Sequence, residues 1–227
     1  TGVRSLKQSD LRKFFQELKG QKNPVYFPLA LTQFGLSLRI GEACALQWGD
    51  IDFEAEVVRI QRTVVWDFNS HEPRLKDCPK IGKERVIAMP EVLKRELLKH
   101  RALSPDKVKL IFHSEGEPLI RKSVGVAYNR ALDLCGITHV RGTHLMRKTS
   151  ATQANMLTGD FFAVSQNLGH SSVEETKRYV EEVSEGKRKV ARALNDVALA
   201  VLDDEVRDPQ EPTRLATRNL TLVKTKS

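Results

Sequence analysis

Apolar residues recur at helical spacing through most of the chain, and alternation replaces that period between Glu56 and Met89. Ser9-Asp10 precedes Leu11, Phe14, Phe15 and Leu18, which predicts an N-capped amphipathic helix ended by Gly20. Tyr26 to Leu36 and Leu38 to Leu46 read as two buried helical segments, followed by a turn at residues 48–52. Glu56 to Val65 then alternates, with Val58, Ile60 and Arg62 on one face and Val57, Arg59 and Gln61 on the other. After a polar stretch containing Pro73 and Pro79, Gly82 turns the chain into a second strand, Lys83 to Met89. These two strands predict one small antiparallel sheet set into a helical protein.

The helical period returns with Val92, Leu93, Glu96, Leu97 and His100, and Leu110 to Phe112 predicts a short strand. Ser123 is the expected cap of a helix running to about Cys135, and Thr143 of one carrying His144 and Arg147 through Met156. Asp160 caps a short helix to Leu168, and Ser172 another that holds Tyr179. The last helix, Lys187 to Leu202, has Val190, Ala193, Leu194, Val197, Ala198 and Val201 on its apolar side. Beyond it, residues 203–227 combine three consecutive acids, two prolines and little periodicity, which predicts a flexible tail. The fold class expected is α+β and mainly α-helical, with one domain over residues 1–202.

Charge sharpens this picture. The net charge of +8 falls entirely within residues 1–202, because the tail holds five basic and five acidic residues. A basic globular body points to a polyanion, most often nucleic acid. No apolar run approaches the roughly 18–20 residues that span a bilayer. Cys44, Cys78 and Cys135 are odd in number and lack metal-ligand spacing, so buried thiols in a reducing cytoplasm are expected.

One set of polar residues suits the attack of a phenol oxygen on a phosphodiester. That reaction needs a nucleophile, cationic hydrogen-bond donors for the phosphate, and an acid for the leaving oxygen. Tyr179 lies nine residues after His170, which follows Leu168-Gly169. Arg39 sits among apolar residues, with Glu42 three positions on to hold its guanidinium. Lys80 stands at the turn feeding a strand, with Lys83 as the competing candidate. His144 and Arg147 are one helical turn apart and are expected to point the same way. Read singly, each has an ordinary structural explanation: an ion pair, a solvated lysine, a polar helix face, a turn histidine, a core aromatic. Their joint occurrence in this order is what those explanations account for badly.

Arg39-Ile-Gly-Glu42, Lys80-x-Gly-Lys-Glu-Arg85, His144-x-x-Arg147 and Leu168-Gly-His170 with Tyr179 together resemble the signature of tyrosine recombinases of the phage-integrase type, from about Ser9 to Val183. The resemblance implies that Tyr179 is the nucleophile, forming a 3′-phosphotyrosyl link. Arg39 and Arg147 would stabilise charge on the phosphorus, Lys80 would protonate the departing 5′ oxygen, His144 would assist proton transfer, and His170 would bond a phosphate oxygen. Neither metal nor ATP is implied, because the covalent link conserves the phosphodiester energy. Ser37 departs from the glycine usual before the arginine motif, and Lys148 from a histidine. Altered local packing is expected from both.

The implied partner is double-stranded DNA, with a homo-tetramer on synapsed duplexes and a monomer or weak oligomer when free; no membrane is involved. Arg121, Lys122, Arg141 and Lys83 are candidate phosphate contacts. The resemblance also implies an N-terminal DNA-clasping domain ahead of Thr1, without which binding should be weak and salt-sensitive. The final helix is expected either to link neighbouring subunits or to dock on its own domain. The rival readings are a type IB topoisomerase, which typically has lysine in place of His144, and a DNA-binding regulator without catalysis.

Overall fold

The computed structural model describes residues 5–77, 84–105, 107–168 and 185–202. At its centre lies a helix, α2 (Tyr26–Gly35), whose residues from Phe27 to Gly35 are all buried. An all-round apolar sequence needs neighbours on every side. They are α1 (Gln8–Lys19), α4 (Glu91–Ala102), α5 (Arg121–Leu134), α6 (Leu145–Thr158) and α8 (Glu185–Leu202), all of which pack against it. Phe14, Phe15 and Phe34 stack edge to face with Tyr128, Phe27 and one another inside this bundle. Gln33, fully buried in α2, has both ends of its amide used: Nε2 donates to Thr143 O at 2.7 Å, and Oε1 accepts from the Tyr128 hydroxyl at 3.3 Å.

Helix starts differ from the expected caps. α1 begins at Gln8 after Lys7 without any side-chain cap, so burial of Leu11, Phe14, Phe15 and Leu18 sets its position rather than Ser9 or Asp10. α5 begins at Arg121, two residues before Ser123, where the chain leaves a hairpin. His144, not Thr143, is the N-cap of α6, because the Gln33 amide holds the Thr143 carbonyl. α4 has no cap of its own, and Asn195 of α8 supplies it, accepting from Val92 N at 2.9 Å. The Asp160 cap is present at the start of α7 (Phe161–Leu168), with Oδ1 accepting from Ala163 N. The helix expected after Ser172, with Tyr179, lies outside the described residues, as does the 203–227 tail.

The alternating region forms two sheets rather than one. After a 3₁₀ turn at Trp48–Asp50, β1 (Ile51–Asp52), β2 (Val57–Ile60) and β5 (Arg85–Ala88) make an antiparallel sheet in the order β1-β2-β5. β3 (Arg62–Trp66) and β4 (Pro73–Asp77) make a separate two-stranded ribbon, with Val64 opposite Leu75. The predicted strand Glu56–Val65 is therefore broken at Gln61, where Gln61 and Arg62 both turn to Asp50 Oδ1. Leu110 to Phe112 is no strand; it contributes a single bridge from Leu110 to Gln47. The hairpin of β6 (His113–Ser114) and β7 (Glu117–Pro118) follows, closed by Glu115 and Gly116, both at positive φ as a type I′ turn requires.

α8 docks on its own domain. Val190, Leu194, Val197, Ala198 and Val201 are buried against α1, α2, α4, α6 and α7. Arg12 adds a bond to Ala200 O at 2.7 Å. No helix among the described residues is long and apolar enough to cross a membrane. Cys44 is buried, its thiol pushed up to about 12 by desolvation, and Cys135 is partly buried; Cys78 lies outside the described residues.

The ribbon is seated on α3 (Ile40–Cys44) through Gly41, where an added Cβ would meet Val64 O at 2.5 Å and Thr63 Oγ1 at 2.6 Å. Backbone cannot yield there as a flexible side chain would. Gly41→Ala is expected to destabilise the protein by about 1–3 kcal/mol, measured as a lower denaturant midpoint at unchanged slope; an unaltered midpoint would show that α3 and β3 are not locked together.

Candidate active site

Arg39 and Arg147, two of the cationic residues singled out in the sequence, meet where α3, α6 and the end of α7 approach each other. The meeting point is a carboxylate. Glu42, buried on α3, receives the Arg85 fork from β5: Nη1 to Oε1 at 3.1 Å and Nη2 to Oε2 at 2.9 Å. Arg39 sends Nη1 to the same Oε1 at 3.2 Å, and its backbone N–H donates to Oε2 at 2.8 Å. Arg147 Nη1 stands 3.9 Å from Oε2. Three guanidinium groups thus share one carboxylate, leaving positive charge in excess.

Arg39 was expected inside an apolar helix. It is instead the N-cap of α3, in extended conformation, with its side chain 47% exposed. The reason is Ser37. Its φ of 55° ends α2 in the left-handed region, with Leu38 N bonded to Gln33 O and Ser37 N to Phe34 O. That is the Schellman pattern, for which glycine is the usual residue. A hydrogen bond between the Ser37 and Ser150 hydroxyl oxygens, 2.6 Å apart, holds the serine there. Its carbonyl in turn accepts from Arg147 Nη1 at 2.8 Å.

Arg147 is nearly buried on α6, and its Nη2 donates to Leu168 O at 2.7 Å. Burial, then the nearby Arg39 charge, lowers its pKa to about 10, so it stays protonated at neutral pH. Arg85 Nε takes the preceding carbonyl of α7, Asn167 O, at 3.1 Å. Two cations therefore hold the negative end of that helix, next to the residue after which His170 and Tyr179 follow. Burial raises the Glu42 carboxyl, but the hydrogen bonds and charge of Arg85 and the Arg39 amide outweigh it, and the net position is below the usual carboxylate range.

His144 is the exposed N-cap of α6, and Arg147 lies one helical turn further on, buried. Partial burial, followed by the charges of Arg121, Lys148, Arg147 and Arg39, lowers the His144 pKa. Arg121 opens α5 with its guanidinium 6.0 Å from the Trp66 ring, whose Nε1 donates to Leu119 O. Lys122 is exposed beside it. Arg141 is committed locally, to Ile137 O, Val140 O and Asp133. Lys80, Lys83, His170 and Tyr179 lie outside the described residues.

Sequence reasoning missed Arg85 as a site residue, although it closes the Lys80 motif. An arginine in a short alternating strand reads as a solvent-facing residue, and its partner is 43 residues away. The missed signal was its position in the same motif as Lys80. The three guanidinium groups around one carboxylate give this site a surplus of positive charge that suits an anion, with the His144 imidazole held toward its neutral form nearby.

The lowered His144 pKa fixes a sign for pH dependence. The unfolded chain takes up a proton near 6.5, whereas the native protein does so only at lower pH. Protons therefore favour unfolding, and stability falls as pH drops through that window. Comparing melting temperatures at about pH 7.5 and 5.5, His144→Gln is expected to show a smaller loss than the wild type; an equal loss would mean that His144 is not held neutral.

Residues 4–185 match the phage integrase family. A tyrosine recombinase XerC-like protein of Caldanaerobacter subterraneus is 27% identical over 219 residues, covering 87% of this chain and 55% of its own length. Tyrosine recombinase XerD of Corynebacterium glutamicum is 28% identical over 168 residues, covering 71% and 50%. This chain thus spans about half the length of these curated relatives. The Tn1549 transposon integrase, solved in complex with circular intermediate DNA, has the same fold at 18% identity and a TM-score of 0.66, covering 83% of this chain and 66% of its own. XerA recombinase does so at 19% identity and a TM-score of 0.60, covering 82% and 63%. With a family match across most of its length and the fold to go with it, this chain belongs to the phage integrase family.

Proposed function

We propose that this chain is the catalytic part of a site-specific DNA recombinase, cleaving and rejoining strands through a 3′-phosphotyrosyl intermediate without metal or ATP. The observation that carries the reading is the gathering of Arg39 and Arg147 around one neutralised carboxylate, with His144 at the rim. Two guanidinium groups in a partly dry cleft suit a phosphoryl group gaining negative charge, because preformed donors there need no rearrangement. Tyr179 is the nucleophile in this reading, joined to phosphorus as the 5′ oxygen leaves with a proton from Lys80. His144, largely neutral, takes up the phenol proton, and His170 bonds a non-bridging oxygen.

The substrate is double-stranded DNA, bound in part by Arg121 and Lys122 at the start of α5. Arg141 ranks behind them, since three backbone and carboxylate acceptors already hold its guanidinium. Recombination needs four copies on two duplexes. Since α8 buries its apolar stripe at home, contacts between copies use other surfaces. Residues 1–202 form the catalytic domain, and the site of action is the cytoplasm. The topoisomerase reading is less favoured because His144 borders the cleft where those enzymes typically carry lysine.

Tyr179→Phe is expected to abolish denaturant-resistant DNA adducts on nicked duplexes carrying candidate attachment sequences while leaving affinity nearly unchanged. Adducts that persist would require another nucleophile. Lys80→Ala is expected to recover cleavage on a 5′-bridging phosphorothiolate, whose leaving group needs no acid. Recovery seen with Lys83→Ala instead would move the role to Lys83.

A further inference from the structure

Glu42 poses a problem for any anion that enters this cleft. It is a buried carboxylate paired with the half-exposed Arg39 and 3.9 Å from the buried Arg147. A carboxylate is itself a forked acceptor and competes for guanidinium groups with the same geometry as a phosphate. Left alone, Glu42 would draw Arg39 and Arg147 into paired contacts, since an unpaired buried charge is strongly unfavourable. The observed distances show this only in part. Both Glu42 oxygens are taken by the Arg85 fork at 3.1 and 2.9 Å; the Arg39 guanidinium pairs with one of them through a single nitrogen at 3.2 Å, beside its backbone bond to the other, and Arg147, bonded to Ser37 O and Leu168 O, stays at 3.9 Å.

Arg85 is well placed for this task and poorly placed for any other. Its side chain is 9% exposed, so it does not offer a fork to a ligand outside. Its Nε is bonded to Asn167 O, which fixes the plane of the guanidinium. Its backbone is held in register by pairing with Ile60. Lys187 of α8 donates to the next carbonyl, Val86 O, at 3.0 Å, and braces β5 from the other side.

We propose that Arg85 is a positioning residue that occupies Glu42 and so keeps the remaining donors of the half-exposed Arg39 available to a phosphate group. Glu42 then serves as an anchor that orients Arg39 from behind without capturing it. The assignment rests on the reading of the cleft as a phosphate site, but it makes a claim about binding that is separable from Tyr179 chemistry.

The test uses inorganic phosphate, titrated into the full chain at constant ionic strength and followed by the guanidinium NMR signals. The wild type is expected to bind phosphate at Arg39. Arg85→Gln removes the fork and leaves Glu42 free to compete, and should weaken binding about tenfold, in line with the loss of hydrogen bonds to a charged group. Glu42→Gln in the Arg85→Gln background removes the competitor and should restore affinity to within about threefold of wild type, because neutral amides compete weakly. A merely structural role for Arg85 would give a double variant as weak as the single one or weaker, and that outcome overturns the proposal. So would a wild type that fails to bind phosphate, or an Arg85→Gln variant that binds normally. If Arg85→Gln does not fold, Arg85→Lys, which keeps the charge but lacks the fork, takes its place under the same criteria. Phosphate binding with the expected rescue, together with no DNA adduct at Tyr179, would leave this inference standing and defeat the proposed function alone.

Discussion

The structure turns on one buried carboxylate and the arginine fork that neutralises it. Glu42 and Arg85 join α3 to β5, and the remaining charges of the cleft are arranged around their contact. Removing Glu42 would leave Arg85 an unpaired ion in a dry setting, the costlier of the possible defects. The same pair reaches outward by two routes. Through Glu42 it sets Arg39, and through Asn167 O it sets the end of α7.

Around this contact, elements distant in sequence are brought to one place by polar bonds within an apolar bundle. Gln33 in the central helix holds the carbonyl just before His144. Ser37, in a backbone conformation that serine seldom adopts, gives its carbonyl to Arg147. Gly41 lets the ribbon lie directly on α3. Each of these is a position where the identity of one residue fixes the location of a cation. The hydrophobic core supplies rigidity, and these few polar bonds supply aim.

The sequence made the helices legible because their apolar residues must be buried at helical spacing; α1, α2, α4 and α8 fall where Leu11, Phe34, Leu97 and Leu194 require. Their starts were misplaced, since Ser9, Ser123 and Thr143 suggested local caps while the chain satisfies its helix ends by burial and distant partners. The β3–β4 ribbon escaped notice for a different reason. Val65 and Leu75 are partly exposed beside Arg74 and Lys76, so the ribbon has no clean inside and outside. Arg39, Glu42 and Arg147, singled out through the family resemblance, are neighbours in the fold. Arg85 was not singled out, because its meaning lies in a partner that only the folded chain brings near.

The Asn195 bond to Val92 has a consequence for how the protein is made. The amide at the start of α4 waits for an acceptor 103 residues further along. During synthesis nearly the whole domain has left the ribosome before that acceptor, and the apolar stripe around it, can close over α1, α2 and α6. Until then those helices keep greasy faces open to other nascent chains, and α8 acts as the latch that ends this vulnerable interval.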